Sequence, residues 1–147
     1  MERGDIGSFS VLAQACVWEG VLATPPEGLS KKARYKLAER SSDWETAIQL
    51  WKPLDIAVKS LVDCVNRLNI GTDVVTFLHP DAADPIYRWL LRKGVSTSVT
   101  YYPSSEEYAI DLRYNRGIKT VYVATDEDAS IIGFRSHVVQ PNTAWRV

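Results

Sequence analysis

Asp126, Glu127 and Asp128 follow the apolar run Val121-Tyr122-Val123-Ala124 after Thr125, and a second apolar run through Val138 and Val139 comes after the short stretch Ala129 to Gly133. Acids placed in this way stand at the carboxyl edge of a parallel sheet, where α/β proteins carry their chemistry. Asp126 and Asp128 supply hard oxygen donors, and Mg²⁺ is content with one or two carboxylates plus waters or phosphate. The structural reading, preferred here, makes Asp126 or Asp128 the N-cap of the next helix, with the negative charges set against its dipole. His79, ahead of Pro80 and Asp81, offers a general base or phosphate donor at the same edge, or else a loop imidazole satisfied by a neighbouring backbone carbonyl. His137, inside the last apolar run, reads as core or edge packing.

Other familiar chemistries find no support. Cys16 and Cys64 lie in apolar runs without a basic neighbour, which suits buried thiols in a reducing compartment better than a nucleophile or a disulfide framework. No Ser-His-Asp or Cys-His order is present, and neither a Gly-x-Gly-x-x-Gly fingerprint nor a Gly-x-x-x-x-Gly-Lys-[Ser/Thr] loop occurs. The 147 residues fit one domain, and 17 basic against 18 acidic side chains give a net charge of -1. That balance creates no field to gather nucleic acid or an anionic membrane surface. No run approaches the roughly 20 apolar residues of a membrane span, and Met1 to Asp5 carries acids where a signal peptide needs a basic region. A cytoplasmic protein is expected. The basic run Lys31-Lys32-Ala33-Arg34-Tyr35-Lys36 reads as a solvated helix face, with phosphate contact as the sharper alternative.

The elements that must position these groups alternate regularly. Phe9 to Leu22 suits a first strand buried on both faces, and Thr24-Pro25-Pro26-Glu27-Gly28 breaks it. Two helices are predicted next: Lys31 to Glu39 behind Ser30, and a second behind a Ser42/Glu45 capping box with Trp44, Ala47, Ile48 and Trp51 on one face. Together they make 23–54 a helical insertion after the first strand. A helix capped by Asp55 follows, then strand Asp73 to Leu78, a helix capped by Asp84 and ended at Gly94, strand Ser98 to Tyr102, a helix behind a Ser104/Glu107 capping box, and strand Lys119 to Thr125. The pattern predicts a three-layer, Rossmann-like parallel sheet with helices on both faces, right-handed crossovers and no large cap domain. Residues 140–147 form an extended tail that Trp145 can pin to the body. Trp44, Trp51 and Trp89 lie on helical stripes, where they either cover the sheet or form a surface for a protein partner or a second copy.

Tyr122 to Val139 resembles the fourth motif of the haloacid dehalogenase-like superfamily, in which a strand ends in paired acids that hold Mg²⁺. Val17-Trp18-Glu19-Gly20-Val21-Leu22 resembles the first motif, Asp-x-Asp-Gly-[Thr/Val]-Leu, through its Glu-Gly-Val-Leu half. Strand Asp73 to Leu78 falls where the second motif belongs, and Tyr102-Pro103 where a Lys-Pro often precedes the helix before motif four. The resemblance implies a strand-end phosphoryl site with Asp126 and Asp128 at the metal.

The departures from the pattern carry the functional expectation. The nucleophile of motif one must attack phosphorus and ligate the cation, and the aligned residue is Val17, which can do neither. The second acid is represented by Glu19, one methylene longer than aspartate. Motif two needs a hydroxyl at the strand end, yet Phe77-Leu78-His79 stands there and Thr76 comes too early. Motif three's lysine falls on Tyr102, with Lys93 a loose alternative. The resemblance therefore implies a catalytically degenerate domain, a binding or regulatory pseudoenzyme of the kind that phage and bacterial genomes encode. The alternative is a divergent Mg²⁺-dependent phosphohydrolase acting on a small phosphate ester, with Glu19, Asp126 and Asp128 as its working carboxylates and Asp81 making good the missing one.

Overall fold

Leu12–Val17 forms the central strand, β1, and that position explains its composition: both faces are covered, so Ala15, Cys16 and Val17 are all buried. The structure, a computed structural model, describes residues 12–26, 43–115 and 117–145. The predicted helix behind Ser30, the basic run 31–36 and the cap at Ser42 lie outside the described residues. After β1 come β2 (Ala23–Thr24), α1 (Trp44–Gln49), β3 (Lys52–Pro53), α2 (Asp55–Val62), β4 (Gly71–Thr76), α3 (Ala83–Arg92), β5 (Ser98–Tyr101), α4 (Ser105–Leu112), β6 (Thr120–Val123), α5 (Asp126–Ile132) and β7 (Ser136–Val138).

The main sheet has five parallel strands in the order β5-β4-β1-β6-β7, flanked by helices. This is the Rossmann-like α/β arrangement that the alternation of elements predicts, and among the described residues no large cap domain accompanies it. Register is fixed by pairs such as Val17 with Val75 and Cys16 with Tyr122. Across β4 and β5, the hydroxyls of Ser98 and Thr100 donate to the buried carboxylate of Asp73 at 2.7 and 3.0 Å. Burial raises that carboxyl above its ordinary range.

The first strand is shorter than its apolar alternation suggests. Trp18–Leu22 leaves the sheet as one wide turn, closed by the Ala23 N–H on the Trp18 carbonyl, with Gly20 at φ 91°. The chain then enters β2, which pairs antiparallel with β3 through Ala23–Pro53 and Thr24–Lys52. The two ends of the 23–54 insertion are thereby held together. Trp18 is fully buried at the base of this turn, its ring 4.8 Å from Trp51 and 5.5 Å from Trp89 between centroids. Trp44 and Trp89 are also buried, and Trp51 is partly so. Trp51 and Trp89 thus pack on Trp18, and Trp44 stacks on His79.

The tail makes specific contacts. Trp145 is buried, stacks on Tyr122 with centroids 4.4 Å apart, and its backbone N–H donates to the Ser60 hydroxyl. Asn142 Oδ1 accepts the Ile56 N–H at 2.7 Å, so α2 is capped from 86 residues downstream rather than by Asp55, which is its first helical residue. Replacing such a cap by alanine costs about 1 kcal/mol. Asn142→Ala is therefore expected to lower unfolding free energy by about that amount in urea titration, and an unchanged midpoint would remove the tail from the stability of α2. No helix among the described residues is long and apolar enough to cross a membrane.

Candidate functional site

From β1 the chain goes to β4 and β5 on one side and returns to β6 and β7 on the other. The loops leaving β1 and β6 diverge at this switch point, and a crevice opens there at the carboxyl ends of the strands. It is a cleft of about 650 Å³, within the size range of small-molecule sites. Val17 and Glu19 reach it from β1 and its turn, Phe77 from the end of β4, Ser105 from the start of α4, and Thr125 and Asp128 from the β6–α5 junction. Trp44 and Trp51 close it from the insertion.

Glu19 holds the centre of this arrangement. Its backbone is extended inside the wide turn, and its Oε2 accepts the Phe77 N–H at 2.8 Å, across to the end of β4. The methylene that distinguishes it from aspartate is used in that reach. Oε1 is buried without a hydrogen-bond partner. Burial is the main reason its carboxyl is pushed up to about 7, against hydrogen bonds from Phe77 and Thr76 that pull it down; the charge of Asp128 pushes it further up. Gly20 is required beside it on two counts, because its φ is positive and an added Cβ would lie 2.7 Å from the Ala124 Cβ. The turn after β1 is thus pressed against the exit of β6.

The acids after β6 separate by role. Thr125, not Asp126 or Asp128, is the N-cap of α5: its hydroxyl oxygen accepts the Asp128 N–H at 3.1 Å. Asp126 is exposed and outside the cleft wall, whereas Glu127 and Asp128 line it. The carboxylates that line the cleft beside Val17 are therefore Glu19, Glu127 and Asp128, with Glu106 from the start of α4. Among the described residues no group of three or more His, Cys, Asp or Glu side chains comes together as a metal site. The donors fit a full Mg²⁺ centre only in part, and no chemical step is routed through one.

Other candidates fall outside the cleft. The His79 Nδ1 accepts the Asp81 N–H at 3.0 Å, so its partner is an amide and not a carbonyl, and its ring stacks on Trp44 behind the wall. Asp81 is exposed. Tyr102 donates its hydroxyl to Asp111 and packs on Tyr108. Lys93 caps the end of α3, at the opposite edge of the sheet from the cleft, with its ammonium over Trp89. His137 is exposed on the edge strand β7. Cys16 and Cys64 are buried free thiols, and burial pushes Cys16 well above the usual thiol range.

Sequence reasoning does not place Thr76, Ser104, Ser105 or Glu106 at the site. Thr76 is the last residue of β4 and fully buried, with its hydroxyl at Glu19 and accepting the Leu78 N–H. Ser104 caps α4 as its spacing predicts, accepting the Glu107 N–H at 3.2 Å, and with Ser105 and Glu106 it also forms cleft wall. The usable signal was topological: in a parallel sheet every strand-to-helix loop lies at the same edge, so the loop after β5 belongs with those after β1 and β6.

Fold and site together define a parallel α/β protein with a ligand-sized, mostly apolar cleft at its switch point. No protein-family model, no curated protein and no solved structure matches the chain.

Proposed function

We propose that the chain is a haloacid dehalogenase-like domain that has lost phosphoryl chemistry and works as a binding or regulatory protein through the cleft at β1 and β6. The observation that carries this reading is Val17. It ends the central strand, lines the cleft beside the β6–α5 acids, and presents methyl groups where a phosphoryl nucleophile would need an oxygen. Val17 ends β1 and Val123 ends the adjacent parallel strand β6, with Asp128 in the first turn of the helix that follows; this supports the alignment of both motifs, although Asp126 stands outside the cleft. Pro25, Leu50, Trp51 and Phe77 make the rest of the wall suited to an apolar body rather than to a phosphate.

One observation favours the second reading, a divergent Mg²⁺-dependent phosphohydrolase. Glu19 sits in the cleft with its carboxyl near 7, the poise of a general acid. Asp126 and Asp128 would then be the metal carboxylates. The exposure of Asp126 outside the wall weighs against it.

Incubation of the protein with p-nitrophenyl phosphate and Mg²⁺ distinguishes the two readings. No release above the uncatalysed rate is expected. Turnover that needs Mg²⁺ and disappears in Asp126→Ala would reverse the assignment.

A further inference from the structure

Among the described residues, the charged groups that line the cleft are all acidic. Glu19, Glu106, Glu127 and Asp128 reach it from the turn after β1 and from the first turns of α4 and α5, and the described lining residues include no Lys, Arg or His. The N-termini of α4 and α5 contribute about half a positive unit each, which offsets one of the four carboxylates and leaves about three in excess. Beyond the charge count, Glu19 Oε1 is a buried acceptor with no hydrogen-bond partner among the described residues, a condition that native interiors rarely tolerate without an unseen partner.

The remaining wall is hydrocarbon and indole. A phosphate ester held there meets like charges in a site of reduced dielectric. A neutral hydrocarbon fills the apolar volume but leaves Oε1 unpaired. A cationic head on an apolar body answers both conditions, since carboxylates pair with it and the faces of Trp44 and Trp51 attract it.

We propose that the cleft binds a small organic cation, an alkyl- or arylalkyl-ammonium, with the ammonium at Glu19 and Asp128 and the apolar body against Trp44 and Trp51. This rests on the reading of the cleft as a binding site and names the class of its ligand.

The test titrates the full chain by calorimetry with phenethylammonium, with its uncharged analogue 2-phenylethanol, and with phenyl phosphate, each with and without Mg²⁺. The ammonium is expected to bind about tenfold more tightly than the alcohol, and Asp128→Asn to weaken it about fivefold while leaving the alcohol unchanged. Glu19→Gln gives the same comparison by a second route should Asp128→Asn not fold. Equal affinity for ammonium and alcohol overturns the inference and leaves the binding cleft standing. Binding of none of the probes removes both the inference and the cleft reading. Phenyl phosphate as the tightest probe, or displacement of the ammonium by millimolar Mg²⁺, assigns the acids to other ligands and also overturns it.

Discussion

Gly20→Ala is expected to destabilise the protein by about 2–4 kcal/mol, the sum of a left-handed backbone imposed on a β-carbon and an overlap inside a packed site. Gly20 has φ 91°, and its added Cβ would stand 2.7 Å from the Ala124 Cβ. Neither partner is the far end of a flexible side chain, so relief requires the turn after β1 to draw back from the end of β6. That movement would also lift Glu19 away from the Phe77 N–H, which it now meets at 2.8 Å. The variant should therefore lose ligand affinity as well as stability. Denaturant unfolding measures the first, and probe titration of the surviving folded fraction the second. The double variant Gly20→Ala/Ala124→Gly removes the contact but keeps the backbone strain, so it should recover about half of the loss. Full stability in Gly20→Ala alone would mean that turn and strand are not in contact.

The glycine also shows where a sequence is legible and where it is not. Alternation of strand and helix needs only local periodicity, and it places β4, β5, β6 and the helices between them to within a few residues. Caps within one turn are equally local, as with Ser104 and the Glu107 N–H. The end of β1 is not local. Apolar alternation continues through Trp18 and Leu22, and only the nearness of Ala124, a hundred residues away, shows why Gly20 is there. The caps fail in the same way. Asp55 and the Asp126–Asp128 cluster carry suitable side chains, but the donors are met by Asn142 from the tail and by Thr125 one position earlier. The tryptophans are ambiguous in sequence because one stripe serves a sheet face or a partner, and the packing of Trp51 and Trp89 on Trp18 joins residues from three separate segments. For the site, Val17, Glu19 and Asp128 are singled out by the sequence, and all three line the cleft. The clamp on Glu19 from Thr76 and Phe77 is not legible there, because it joins two strands by a side chain of unremarkable type.

Glu19→Gln should stabilise the folded protein at alkaline pH and leave it unchanged in acid. Burial, more than any other cause, holds the Glu19 carboxyl at about 7, compared with about 4.5 when the chain is unfolded. Between those values the folded state binds the proton more tightly than the unfolded state, so stability falls as pH rises. The loss is absent below pH 4.5 and complete above 7. A displacement of that size corresponds to about 3 kcal/mol, which partial opening to the cleft reduces to about 2. Glutamine carries no charge to desolvate and keeps an oxygen for the Phe77 N–H, so the variant escapes the penalty. At pH 4 the two proteins should unfold together, and at pH 8 the variant should melt about 4–8 °C higher. Parallel melting profiles across that range would show Glu19 to be well solvated in the folded state, and the cleft would then lose the buried acceptor on which its preference for a cation depends.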